Sequence, residues 1–134
     1  MQRCKYLDDL GIPIEKYGTN FISDDDTRKE RWDKQKEEYG FDDRETWNLD
    51  IMFIEWIYTR VKMYKEVNVI NTEYHKIPYK DTEITQEEAM DKILELAKEI
   101  LQSSSSCYDD GTMIYNNSRE ICDLWKEVLP HMWW

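Results

Sequence analysis

The sequence predicts an all-α fold, a compact bundle of about four or five helices in one domain spanning residues 1–134. Three observations predict it. Apolar residues recur at helical spacing in three segments, 47–65, 89–100 and 121–128. Helix-start patterns, in which a side chain able to accept from the backbone is followed three positions later by Glu, stand at Asp42/Glu45 and Thr85/Glu88. The chain has 134 residues, 40 % of them apolar and 13 % aromatic, enough to fill one core and too few for two.

Residues 1–38 read as a lead-in followed by a surface helix, and 39–134 as the core of the domain. A short helix over Tyr6–Leu10 is stopped by Gly11 and Pro13. Asp24-Asp25-Asp26-Thr27 then looks like a helix start, since acidic side chains complement the positive end of the helix dipole. That helix runs to Tyr39, with Trp32 and Tyr39 seven apart on one face, and Gly40 ends it. Asp42 with Glu45 opens the strongest helix signal, from Asp43 to Val67. Trp47, Ile51, Ile54, Tyr58, Val61 and Lys65 mark one stripe, and Leu49, Phe53, Trp56 and Met63 mark a second. A helix apolar on two sides is expected between neighbours, which makes this the central helix.

Over 67–80 the alternatives are a minor two-stranded element and a continuation of the helix. Tyr74 to Tyr79 reads as a loop, because Pro78 biases Ile77 to an extended conformation. The box at Thr85 starts a helix to about Gln102, with Ala89, Ile93, Leu96, Ala97 and Ile100 inward. Ser103–Ser106 is a polar break, and Asp109-Asp110-Gly111 a turn. A last helix starts near Asn117, capped with Glu120, and Pro130 ends it. No internal repeat and no heptad run stand out. Trp133 and Trp134 close the sequence, and burying them calls for Pro130–Trp134 to pack onto the bundle or across a homodimer interface.

Composition narrows the function classes. Twenty-nine acidic residues against eighteen basic ones give a formal net charge of −11, a surface that repels phosphate backbones and anionic lipid, so direct nucleic-acid or membrane binding is not expected. The N-terminus has no signal-peptide apolar core, no apolar run approaches the ~20 residues that span a bilayer, and three cysteines without paired spacing fit a reducing cytoplasm. His75 and His131 are distant in sequence, and the acidic clusters at 24–26 and 109–110 lack calcium-loop spacing, so no metal is expected. Four glycines form no phosphate cradle. No cofactor and no catalytic residue are assigned.

The densest chemistry lies in Phe41–Asp50. Asp43, Trp47 and Asp50 share one helical flank by their spacing. Asp50 sits in an apolar stretch and needs a partner. It reads either as an anchor for a Trp N–H or Tyr O–H, or as part of a binding site with Asp43, Arg44, Trp47, Arg60 and Lys62. The segment Phe41-x-Asp43-x-x-Thr46-Trp47-x-Leu49-Asp50, with Arg60–Lys65 following, the Thr85–Leu101 helix and the Pro130–Trp134 ending, resembles small proteins of bacteriophages and prophages over residues 39–134. The resemblance implies a phage gene product acting in the host bacterial cytoplasm and carries over no catalytic residue. It implies a choice of roles: a non-enzymatic protein that binds and interferes with a host protein, including a defence nuclease; a sponge for a nucleotide immune signal, its phosphates held by Arg44, Arg60 and Lys62; or a structural or assembly factor. The acidic charge favours the first, with a basic host surface as the partner.

Overall fold

A computed structural model describes residues 3–14, 17, 26–68, 75–103 and 111–132. Six α-helices and one antiparallel hairpin are formed by these residues: α1 Lys5–Asp9, α2 Lys29–Tyr39, α3 Arg44–Trp47, α4 Leu49–Val67, β1 Lys76–Tyr79, β2 Thr82–Thr85, α5 Gln86–Ser103 and α6 Thr112–Val128, with a terminal 3₁₀ turn at Leu129–His131. The fold is thus mostly helical with a minor sheet. No helix of the described residues is long and apolar enough to cross a membrane.

α5 lies between α4 and α6 and is the central helix, in place of the expected 43–67 segment. Its Ala89, Ile93, Ala97 and Ile100 are fully buried, and they meet Ile54, Ile57 and Tyr58 of α4 and Ile121, Leu124 and Val128 of α6 in one cluster. The start of α5 is the capping box read from the sequence. Thr85 Oγ1 accepts from the Glu88 amide at 3.1 Å, and the Glu88 carboxylate comes back to the Thr85 hydroxyl at 3.1 Å.

The strand pair lies at 76–85, displaced toward the C-terminus from the expected position. Tyr74 lies outside the described residues, and the rest of the expected loop, from Lys76, is strand β1. Pro78 has no N–H for a ladder, but β1 has only one neighbour, so the proline is tolerated at an edge. Ile77 and Ile84 face each other in register and both point into the core. A two-residue turn joins the strands and puts Lys80 in the left-handed region at φ 53°.

α6 starts at Thr112, five residues before the expected Asn117. Gly111, with φ 80°, precedes it. Asn117 is no cap: it is buried in mid-helix, and its Nδ2 donates to Glu99 Oε2 at 2.9 Å and to the Leu96 carbonyl at 3.3 Å on α5. Glu99 is exposed and is solvated once the amide is gone, so Asn117→Ala should cost about 0.5–1.5 kcal/mol, the net worth of a typical hydrogen bond, read from a denaturant midpoint. A cost close to zero would show that water replaces the amide. Pro130 ends α6 as expected. Met132 packs against the core cluster, whereas Trp133 and Trp134 lie outside the described residues.

α1 is fastened to the end of α4, where Tyr6 Oη donates to Glu66 Oε2 at 2.6 Å. That bond favours the phenol and pushes the Tyr6 pKa up to about 12. Buried Tyr17 donates to the Asp8 carboxylate of α1.

Candidate functional site

The expected continuous helix 43–67 breaks at Asn48, whose φ −127° and ψ 59° are not helical. This accounts for the sixth helix. It also removes the common flank on which Asp43, Trp47 and Asp50 were placed, because α3 and α4 are separate helices. What remains is two arrangements, one at the α2–α3 corner and one along α4.

At the corner, two Asp-x-Arg units are built alike. In Asp26-Thr27-Arg28, the Asp26 Oδ1 accepts the Arg28 amide at 2.9 Å and Nε at 2.8 Å, and Oδ2 accepts Nη2 at 2.8 Å. In Asp42-Asp43-Arg44, the corresponding distances are 3.0, 3.0 and 2.7 Å. Both guanidinium groups then lie against the Trp32 ring, 5.2 Å away for Arg28 and 4.3 Å for Arg44. Trp47 meets Trp32 edge-on at 6.1 Å and is itself covered by Arg28 at 5.2 Å. Asp43 accepts from the Trp32 indole N–H at 2.9 Å and pairs with Arg31 at 2.9 Å, and its own amide donates to Gln35 Oε1 at 2.9 Å. The N-cap position of α3 is Asp43 and not the expected Asp42, and no side chain caps the helix; Asp42 instead accepts the Arg44 amide two residues on. The second half of the corner comes from Arg44 rather than from Glu45.

Of the six candidate residues, Asp43, Arg44 and Trp47 are therefore brought together, but around Trp32, in a corner whose charges satisfy one another. Arg44 is buried and committed to Asp42. Asp43, not Asp50, holds a tryptophan N–H. Asp50 is exposed at the start of α4, which corrects its reading as a buried anchor. Asp50→Ala should leave the melting curve where it is. A clear drop in melting temperature would restore the structural role. Arg60 and Lys62 lie along α4, and Arg60 donates to Thr59 Oγ1 at 2.8 Å. The partners Trp32, Arg28, Asp26 and Asp42 were missed as site residues. The repeated Asp-x-Arg was the available signal.

The second arrangement is the outward face of α4. Leu49, Phe53, Trp56, Met63 and Val67 are 63, 38, 47, 55 and 52 % exposed. The stripe expected to be buried against a second neighbour is thus on the surface, while Ile54, Ile57, Tyr58 and Val61 fill the core. A groove of about 390 Å³ lies along this face, lined by Phe53, Trp56 and Arg60 together with Glu45, Cys4 and Leu7. Trp56 is braced edge-on by Trp125 of α6 at 6.4 Å, and the Arg60 guanidinium lies over its ring at 5.8 Å.

His75 and His131, distant in sequence, are in contact, with ring centroids 3.8 Å apart. No group of three or more His, Cys, Asp or Glu among the described residues is placed to hold a metal. No family model matches the chain, and no curated protein and no solved structure matches it either.

Proposed function

We propose that the chain is a non-enzymatic, phage-encoded binding protein that interferes with a host bacterial protein, with a defence system as its target. The observation that carries this reading is the exposed apolar face of α4. Contiguous apolar surface of this kind on an acidic, charged domain marks an interaction site, and the large aromatic side chains on it are the usual anchors of protein interfaces. The net charge of −11 adds long-range attraction toward a basic partner surface. The nucleotide-sponge reading draws less support. It needs Arg44, Arg60 and Lys62 to converge, and the Arg44 charge is already neutralised by Asp42 inside the corner.

Phe53→Asp and Met63→Asp test the proposal, because Phe53, at the groove, and Met63, further along the face, are 38 and 55 % exposed and outside the core cluster. Each is expected to keep the melting curve and to lose both capture of the host target and protection of phage in a plating assay. Retention of both by folded variants would overturn the reading. So would release, on heating, of a molecule absorbing near 260 nm, which would point to the sponge.

A further inference from the structure

The exposed face of α4 has a regular spacing. Leu49, Phe53, Trp56, Arg60, Met63 and Val67 follow one another at intervals of 4, 3, 4, 3 and 4 residues, the a and d positions of a heptad, with Leu49, Trp56 and Met63 at d and Phe53, Arg60 and Val67 at a. All six are exposed, so among the described residues this is a coiled-coil seam without a second strand, about 28 Å long at the helical rise per residue. Arg60 interrupts the apolar series and the core-facing stripe of the same helix overlies it, which hides this heptad in the sequence.

Building on the reading of α4 as the binding face, we propose that its occupant is a single amphipathic helix of another protein, with basic residues along its flanks and one carboxylate in its apolar seam. The charges on the face specify this partner. The seam holds one charge, Arg60, at an a position. The charged side chains flanking the seam, Asp50 at e and Glu66 at g, are both acidic and exposed, Glu66 also accepting from the Tyr6 hydroxyl, and Glu45 lines the groove. A partner helix therefore gains by setting a carboxylate against Arg60 and Lys or Arg against Asp50 and Glu66. A second copy of this chain meets those requirements poorly. Parallel pairing sets Arg60 against Arg60, antiparallel pairing centred on the seam sets it against Trp56 with no counter-charge, and either brings together two surfaces of net charge −11.

The test uses the intact protein and labelled three-heptad peptides with leucine at a and d, read by fluorescence anisotropy. One peptide has lysine at e and g and a single glutamate in the seam. A second has glutamate at e and g, and a third has lysine in place of the seam glutamate. The first should bind, with the second and third weaker by roughly tenfold or more, the scale of a like-charge mismatch across an interface. Arg60→Glu should reverse the preference between the first and third. Phe53→Asp, and Met63→Asp as a second variant, should lose binding although each makes the surface more attractive to a basic peptide. Equal binding of all three peptides, or undiminished binding by folded Phe53→Asp and Met63→Asp, overturns the proposal. So does sedimentation of the protein alone as a dimer that Phe53→Asp converts to monomer, since a second copy would then fill the seam. If the peptides show no preference while Phe53→Asp still loses phage protection, the partner chemistry fails and the binding-face reading stands. If Phe53→Asp keeps protection, the binding-face reading itself fails.

Discussion

Asp42→Ala should lower the free energy of unfolding by about 3–5 kcal/mol, the cost of leaving a buried charge without its partner. Asp42 is fully buried and receives three hydrogen bonds from Arg44, which is buried as well, and Lys36 stands 3.6 Å away. With the carboxylate removed, the Arg44 amide at the start of α3 loses its acceptor, and the guanidinium against Trp32 loses the two hydrogen bonds and the charge that Asp42 supplies. Asp42→Asn, which keeps an acceptor oxygen for the amide, should cost less than alanine. If the two variants are equally damaging, the charge rather than the acceptor for the amide is what matters.

The same residue gives a pH dependence. Burial alone would raise the Asp42 pKa, but the hydrogen bonds and charge of Arg44 outweigh it and hold the carboxyl below the usual carboxylate range. A depressed folded-state pKa contributes stability that is present above the unfolded value of about 4 and is lost as pH falls through the folded value. Thermal melts of the natural chain and of Asp42→Ala should therefore differ most near neutrality and converge below about pH 4. A gap that stays constant into acid would show that Asp42 does not titrate with unfolding.

How much of this was legible in the sequence depended on how local each determinant is. The start of α5 could be read directly, because a capping box involves four consecutive residues. Gly40 and Pro130 likewise stop helices by their own backbone chemistry. The break at Asn48 was not legible. Asn48 lies inside an apolar series with strong helical spacing, and the contact beside it, Trp47 against Trp32, joins residues of two different helices. Asn117 was misread for a related reason. Asn is a frequent cap, and only the position of α5 reveals that its amide spans two helices. The two stripes of α4 were both visible, but periodicity says that a face is apolar, not whether another element covers it. The site residues followed the same rule. Asp43, Arg44 and Trp47 were found as a cluster, while the tryptophan that gathers them lies on another helix.

Trp32→Ala should cost about 3–5 kcal/mol, at the upper end of core truncations, although Trp32 lies outside the main hydrophobic cluster. Its ring is fully buried, its N–H is bonded to Asp43, and two guanidinium groups and Trp47 lie against it. Alanine there opens a cavity, removes the surface on which Arg44 rests, and leaves Asp43 with Gln35 and Arg31 as its remaining side-chain partners. Trp32→Phe keeps an aromatic face for the cations but not the N–H, and should recover part of the loss. The decisive measurement is the double variant with Asp42→Ala. Arg44 serves both residues, so once either is gone the other has less to hold, and the combined cost should fall short of the sum by about 0.5–3 kcal/mol, as for residues sharing one network. Strict additivity would mean that the α2–α3 corner is two neighbouring contacts and not one unit. A shortfall would identify the corner as one cooperative unit in which Arg44 couples Trp32 to Asp42.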